Sequence, residues 1–320
     1  RFLDKLMSCV YKGKVIETDL SKNSQGGTEM MRSRLVKNID KTLLEKYAIH
    51  LSRPREFHDD VKNILWCHDL ALDPENKILK NNGWEKFDHF VFVSYWQRDQ
   101  YILIYGIPYS KCTVIQNAIE LEYSPVVKQT DQIRLIYHTT PHRGLELAYP
   151  IVDALSKQYD NIHLDVYSSF SIYGWKQRDK PFKELFDKIK NHSHMTYHGS
   201  VNNNDILKAL SKSHIFLFPS IWQETSCIAM IEAIRSGVLV IHPSYGALQE
   251  TAVDATVMYE YTEIANDNAN MAFSVTKNLL EAQKVEPNLF NTMTSSERFV
   301  LPKNSINNFT NSWNNLLRHL

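Results

Sequence analysis

The sequence predicts an α/β protein made of two parallel-sheet domains, on three observations. At 320 residues the chain exceeds the roughly 250–300 at which a single hydrophobic core stops growing. Short apolar runs of strand length alternate with amphipathic stretches of helical period, the signature of strand, helix and strand in a parallel sheet. A polar stretch, Tyr123–Gln132, with Pro125 and Lys128-Gln129-Thr130-Asp131, separates a first set of such units from a second that begins afresh at Ile133, as an interdomain linker would.

In chain order, Asn63–Cys67 and Val91–Ser94 read as buried strands of the first domain, and Arg134–Tyr137, Ile162–Tyr167, Ile215–Phe218 and Val238–Ile241 as those of the second. Their near-continuous apolar character suits strands covered by helices on both sheet faces. Gly144–Ser156 sets Leu145, Leu147, Ala148, Ile151 and Val152 at helical spacing, and Asp205–Ser211 and Ser226–Arg235 have the same pattern. The tail from Pro302 carries Ile306, Phe309, Trp313, Leu316 and Leu317, which predicts a docking helix with one apolar face. The expected division is therefore 1–128, 129–302 and a closing helix, 303–320. Tyr95, Trp96, Tyr101, Tyr105 and Tyr109 recur near helical spacing and read as packing rather than as a sugar platform.

Composition removes several function classes. Lys and Arg number 36 against 36 Asp and Glu, so no net charge draws the chain to a polyanion, which argues against non-specific nucleic-acid binding. With 43% hydrophobic residues, 22% charged, 10 Gly and 11 Pro, it is neither collagenous nor wholly disordered. Cys9, Cys67, Cys112 and Cys227 are far apart and form no CxxC pair, so reduced thiols are expected rather than a zinc site or a disulfide framework. No apolar run reaches the roughly 18 residues of a membrane span, and Arg1–Val10 lacks the apolar core of a signal peptide, so a cytoplasmic location is expected, with peripheral membrane contact left open. The first residue is Arg rather than Met, which leaves a preceding segment open as well.

The most informative stretch joins a strand, a polar loop and a helix: Phe218-Pro219-Ser220-Ile221-Trp222-Gln223-Glu224-Thr225-Ser226-Cys227-Ile228-Ala229-Met230-Ile231-Glu232-Ala233. At the carboxyl end of a parallel strand, the next helix turns its free amides and positive dipole end toward the crevice where ligands bind, and a phosphate fits there. Glu224 falls just before that helix and Glu232 two turns inside it, and ionised carboxylates accept hydrogen bonds from vicinal hydroxyls. Anion donors flanked by two such carboxylates describe a pocket for a nucleotide sugar. An isolated Glu-x7-Glu is more often a helix cap and a solvated face, so the neighbouring motifs decide.

The segment resembles the donor-site signature of retaining glycosyltransferases of the GT-B fold, family 4 (glycosyltransferase group 1). That signature joins Glu-x7-Glu to a preceding Pro-Ser and a following glycine turn, here Gly237–His242, with Gly246–Thr251 resembling its usual continuation. Upstream, Tyr197-His198-Gly199-Ser200-Val201, followed by Asp205-Ile206-Leu207 and Ser213–Leu217, is similar to the family's loop against the nucleotide base. Thr140-Pro141-His142-Arg143-Gly144-Leu145-Glu146 resembles the loop whose Lys-Gly or Arg-Gly supplies a cation to the donor diphosphate. In the first half, Asn23-Ser24-Gln25-Gly26-Gly27-Thr28-Glu29 stands where the family offers a glycine loop, and paired glycines let backbone amides approach a phosphate. Leu65-Trp66-Cys67-His68-Asp69 resembles the family's strand-end histidine, and Val93–Gln97, Gly106–Pro108 and Val114–Glu120 its run into the linker.

The resemblance implies two Rossmann-like domains facing a cleft, the first on the acceptor side and the second on the donor side, with the C-terminal helix returning to the first. It implies a hexosyltransferase of polysaccharide biosynthesis that uses a UDP- or GDP-linked sugar, needs no metal or other cofactor, and serves a glycan or glycoconjugate acceptor. Carried over residue by residue, the catalytic positions are His68, Arg143 and Glu224, and the donor-binding ones Gly26, Gly27, Arg143, Val201, Thr225, Ser226, Cys227, Ile228 and Glu232. In that scheme Arg143 and the amides at Ser226, Cys227 and Ile228 neutralise the departing diphosphate, Glu232 holds the ribose, Glu224 a sugar hydroxyl, and His68 positions the sugar. The leaving phosphate itself helps deprotonate the acceptor.

Three departures stand out. Tyr137 occupies a position where the family often has a second basic residue, Ala118 replaces a common Gly, and the first half is short. His192, His194 and His198 form H-x-H-x3-H without a completing Cys or carboxylate, and neither Asp-x-Asp nor Gly-x-Gly-x-x-Gly occurs. Two alternatives are kept: a catalytically silent nucleotide- or glycan-binding subunit, and a nucleotide-sugar epimerase of the same fold.

Overall fold

The computed structural model describes residues 14–16, 24, 26–54, 57–120, 127–129, 131–252, 256–295 and 302–320. Asn23 and Gln25 of the glycine stretch, and residues 123–126 and 130 of the expected linker, lie outside the described residues. The chain divides into two compact units, one holding Gly26–Ala118 and Lys303–Leu320, the other Ile119–Pro302.

The first unit has a five-stranded parallel sheet in sequential order: β1 (Lys14–Ile16), β2 (Tyr47–Leu51), β3 (Lys62–Cys67), β4 (His89–Phe92) and β5 (Cys112–Val114). β3 and β4 lie at the expected runs. β2 escapes an apolar-run reading because His50 interrupts it, yet His50 is fully buried, with Nε2 2.9 Å from Asn63 Oδ1. Helix α1 (Gly27–Asn38) starts at Gly26, α2 (Lys41–Leu44) follows it, and α3 (Tyr95–Tyr105) is capped by the Ser94 hydroxyl, which accepts from the Gln97 amide. α3 ends where Gly106 turns left-handed at φ 71°, a conformation glycine adopts without a Cβ penalty.

The aromatic row along α3 and the turn that follows it splits. Tyr101 is buried, but Tyr95 and Tyr109 are 53% and 66% exposed and hold the Arg98 guanidinium between them, at 4.9 and 4.8 Å from the two ring centres. Alternation between core and surface is what a helix with one buried face must show.

The closing helix, α11 (Ile306–His319), belongs to this unit. Phe309, Trp313 and Leu317, four residues apart, form its buried stripe, and Trp313 meets the fully buried Trp66 of β3 edge-on at 5.0 Å. The Tyr47 hydroxyl donates to the Leu317 carbonyl at 2.7 Å. Burying a side chain of this size stabilises by about 1.5–3 kcal/mol, so this stripe anchors the tail.

The second unit has a six-stranded parallel sheet: β6 (Ile133–Tyr137), β7 (Ile162–Val166), β8 (Met195–Tyr197), β9 (Ile215–Leu217), β10 (Leu239–Pro243) and β11 (Thr256–Tyr259). Its order is β11-β10-β9-β6-β7-β8. Between strands run α4 (Leu145–Ser156), α5 (Lys183–Lys190), α6 (Asn203–Leu210), α7 (Ile228–Arg235) and α8 (Leu248–Ala252), then α9 (Ala265–Val285) and α10 (Leu289–Thr294). The chain enters mid-sheet at β6, builds outward through β7 and β8, then crosses back to lay β9 on the other side of β6. The loops after β6 and β9 therefore diverge, which makes the carboxyl ends of these two strands a topological switch point, the usual ligand site of such sheets.

Contacts divide the chain after Ala118, whereas the polar composition suggested a boundary at 128. Lys128 is tied into the second unit: its ammonium donates to the carbonyls of Ser213, Ser236 and Gly237, and its backbone exchanges two hydrogen bonds of 3.0 Å with the Asn291 amide. Polarity here marks a buried cation serving as a helix-end cap. Among the described residues no helix is long and apolar enough to cross a membrane.

Candidate functional site

In the second unit the candidate residues converge on the switch point. The loop after β6 carries Thr140 to Gly144, and the loop after β9 carries Phe218 to Cys227. They are locked together by glycine: Gly144 sits at φ 123°, and a Cβ there would lie 2.2 Å from the Pro219 carbonyl oxygen. No side chain fits between these backbones, so glycine is required.

Across that contact the Arg143 Nη1 donates to Glu224 Oε1 in a buried ion pair. The Glu224 side chain is 5% exposed and that of Arg143 20%. Burial pushes the Glu224 carboxyl up from the ordinary range while the Arg143 guanidinium pulls it back, and Glu224 in turn helps hold Arg143 protonated. The Glu224 backbone is fixed as well, since its carbonyl accepts from the Ala247 amide at 2.8 Å and it bridges to Gly246, where φ is 60° and a Cβ would lie 2.7 Å from the Glu224 oxygen.

Arg143 Nε is buried without a hydrogen-bond partner among the described residues, as are His142 Nδ1 and Thr140 Oγ1 in the same loop. Leaving a buried polar group unsatisfied costs about 1–3 kcal/mol, and three such atoms lie in this one short loop at the switch point. The His142 ring is stacked on Phe170 at 5.1 Å and meets Trp222 edge-on at 4.9 Å, and burial with the neighbouring Arg143 lowers its pKa to about 4, so it is neutral at pH 7.

α7 begins at Ile228, after Cys227 in extended conformation, two residues later than the apolar spacing suggested. Thr225 and Ser226 consequently lie in the loop, and the first-turn amides are those of Ile228, Ala229 and Met230. Glu232 becomes the fifth helical residue, about one turn inside rather than two, and is 5% exposed. Its two carboxylate oxygens accept from the Asn203 amide nitrogen at 3.0 and 3.2 Å. Asn203 opens α6, two residues after Val201, so the loop after β8 orients the α7 carboxylate directly. Sequence reasoning missed Asn203; its signal was its place beside Asn202, which caps α6 by accepting from the Asp205 amide.

The three histidines at H-x-H-x3-H spacing do not gather on one point. His192 faces Asp153 at 3.3 Å, His194 the Ile162 carbonyl at 3.0 Å, and His198 Asp165 at 2.8 Å. Among the described residues no group of three His, Cys, Asp or Glu side chains could hold a metal. Tyr137 is fully buried and donates to the Thr140 carbonyl at 3.1 Å, so it braces the Arg143 loop from beneath.

In the first unit, His68 follows directly on β3. Its ring packs on Trp66 at 4.6 Å, its amide donates to the Ser52 hydroxyl at 2.9 Å, and burial lowers its pKa to about 3. Gly26 is the N-cap of α1 and Gly27 its first residue, both at ordinary negative φ, with Glu29 in the first turn.

The chain is similar to known proteins in sequence family and in fold. Residues 126–272 match the family described as "Glycosyl transferases group 1". One component of human phosphatidylinositol N-acetylglucosaminyltransferase is 25% identical over 171 residues, which is 51% of this chain and 33% of the relative, so the match spans a third of that protein's length. Among solved structures, a sucrose-phosphate synthase from Thermosynechococcus elongatus superposes with a TM-score of 0.65 at 14% identity, over 90% of this chain and 79% of its own. HepE from Anabaena, in complex with UDP and glucose, does so at 0.63 and 13%, over 92% and 84%. Residues 126–272 thus resemble the glycosyl transferases group 1 family, and the chain has the GT-B fold.

Proposed function

We propose that the protein transfers a hexose, or an N-acetylated hexosamine, from a UDP- or GDP-linked donor to a glycan or glycolipid acceptor, with retention of anomeric configuration and without a metal ion. The observation that carries this reading is the Arg143–Glu224 pair at the switch point, with the guanidinium Nε buried and unpartnered beside it. Charge develops on the diphosphate as the glycosidic bond breaks, and a fixed guanidinium with the first-turn amides of α7 stabilises it without having to reorganise. The Glu232 carboxylate, oriented by Asn203, is the acceptor for a ribose diol. Glu224 takes a sugar hydroxyl, and a neutral His68 serves the sugar as a hydrogen-bonding group. The name of the human relative suggests N-acetylglucosamine and phosphatidylinositol as the first sugar and acceptor to try, and the HepE complex suggests UDP.

The test is thermal unfolding in EDTA with saturating UDP, GDP, ADP and their sugar conjugates, beside Glu232→Ala. A ligand at 100 times its Kd adds about 2.7 kcal/mol to the stability of what it binds. One base should raise the midpoint of the parent and not of the variant. Absence of any shift in the parent would sink the nucleotide-sugar reading. With the donor named, NMR of the product's anomeric proton decides retention, and turnover that needs added divalent cation would overturn metal independence.

A further inference from the structure

Trp222 is two residues from Glu224 and is 41% exposed, although a side chain of this size is ordinarily drawn to the core. It is nevertheless held. Its amide donates to the Ser220 hydroxyl at 3.2 Å, and that hydroxyl donates to the Trp222 carbonyl at 3.1 Å, with Ser220 wholly buried. Its ring meets His142 edge-on at 4.9 Å, and His142 is wedged in place by Phe170. The Ile221 amide points to the Arg143 carbonyl at 3.4 Å. The indole is thus fixed by the same loop contact that pairs Arg143 with Glu224. A held, part-exposed aromatic two residues from Glu224, the carboxylate proposed above for a sugar hydroxyl, offers an apolar face for a pyranose's axial C–H groups.

We propose that Trp222 is a specificity-determining residue that stacks on the hexose of the sugar nucleotide, while the nucleotide itself is bound without it. The proposal rests on the nucleotide-sugar reading above and deepens it. The neutral state of His142 at pH 7 supports the arrangement, since an uncharged ring packs against the indole without drawing water into the contact.

The experiment is direct binding of UDP against UDP-N-acetylglucosamine and UDP-glucose, and of GDP against GDP-mannose, by calorimetry on the parent, Trp222→Ala and Trp222→Phe. For the diphosphate the parent binds, Trp222→Ala should keep the affinity for the free nucleotide and lose about tenfold for its sugar conjugate, with Trp222→Phe recovering most of the loss. An unchanged ratio of the two affinities in Trp222→Ala, whether both are retained or both fall together, overturns the stacking role. That failure is distinct from failure of the broader reading, in which the parent binds none of the nucleotides.

Discussion

The two units place their charge differently. In the second, Arg143 and Glu224 form an ion pair with side chains 20% and 5% exposed, set at a point where strand order reverses. In the first, the described strands run in sequential order without reversal, and the pair at the corresponding strand end, Arg53 and Asp69, is 33% and 24% exposed. His68 beside it is kept neutral by burial against Trp66. The contrast teaches where charge is buried: a reversal of strand order opens two loops side by side, and among the described residues it is there that an Arg–Glu pair is held with its carboxylate almost wholly buried.

The sharpest way to break the comparison is to remove one partner of each pair. Glu224→Ala strands a buried guanidinium and should cost the second unit about 3–5 kcal/mol by chemical denaturation, with loss of turnover. Asp69→Ala, in the half-exposed pair, should cost about 1 kcal/mol. Equal losses would show that the two sites are energetically alike.

Glycines sharpen it next. Gly144→Ala forces a Cβ onto the Pro219 carbonyl and should cost about 3 kcal/mol or more, with donor binding lost alongside. Gly106→Ala in the first unit, equally left-handed but with nothing within 4 Å, should cost only the strain of the backbone, about 1–2 kcal/mol. Urea denaturation of the two variants separates steric from conformational cost.

Acid provides a third test. Burial lowers His138 to about 3 and His142, His214 and His242 to about 4 in the second unit, and His68 to about 3 and His89 to about 4 in the first. Because the folded-state values lie below the unfolded value near 6.5, the unfolded chain takes up protons first. Stability is full above about pH 6.5 and falls as pH drops toward 4, by roughly 1–2 kcal/mol per fully buried histidine at pH 5. Hydrogen exchange at pH 7 and pH 5 should find the second unit, with four such groups against two, losing more protection.

A fourth test concerns Lys128. Burial drives its pKa down to about 7, while three carbonyls hold its proton. Lys128→Met leaves those carbonyls unsatisfied and should lower stability by about 1–3 kcal/mol, in the second unit although the residue lies within the expected linker. Destabilisation confined to the first unit would contradict the division after Ala118.

Periodicity carries far in this chain. Strands β3, β4, β6, β7, β9 and β10, the docking helix α11 and the stretch with both glutamates were legible because each shows its burial as a run or stripe of apolar side chains. The strands β1, β5, β8 and β11 were not, because each carries a polar residue (Lys14, Thr113, Thr196, Thr256) within three or four positions and so shows no apolar run, and β2 was hidden by His50. Of the site, Arg143, Glu224 and Glu232 were legible from ordered motifs, whereas Asn203, the exposed indole of Trp222 and the brace from Tyr137 were not.

The sequence by itself determined the α/β alternation, the two-part chain and the residue types fit for an anionic, hydroxyl-rich ligand, since these follow from local patterning and from the chemistry of single side chains. Only the tertiary structure decided which of them meet. The Arg143–Glu224 pair joins residues 81 positions apart and the Asn203–Glu232 pair residues 29 apart. No local rule sets either distance; both follow from strand order, and strand order is fixed by how helices pack on a sheet as a whole.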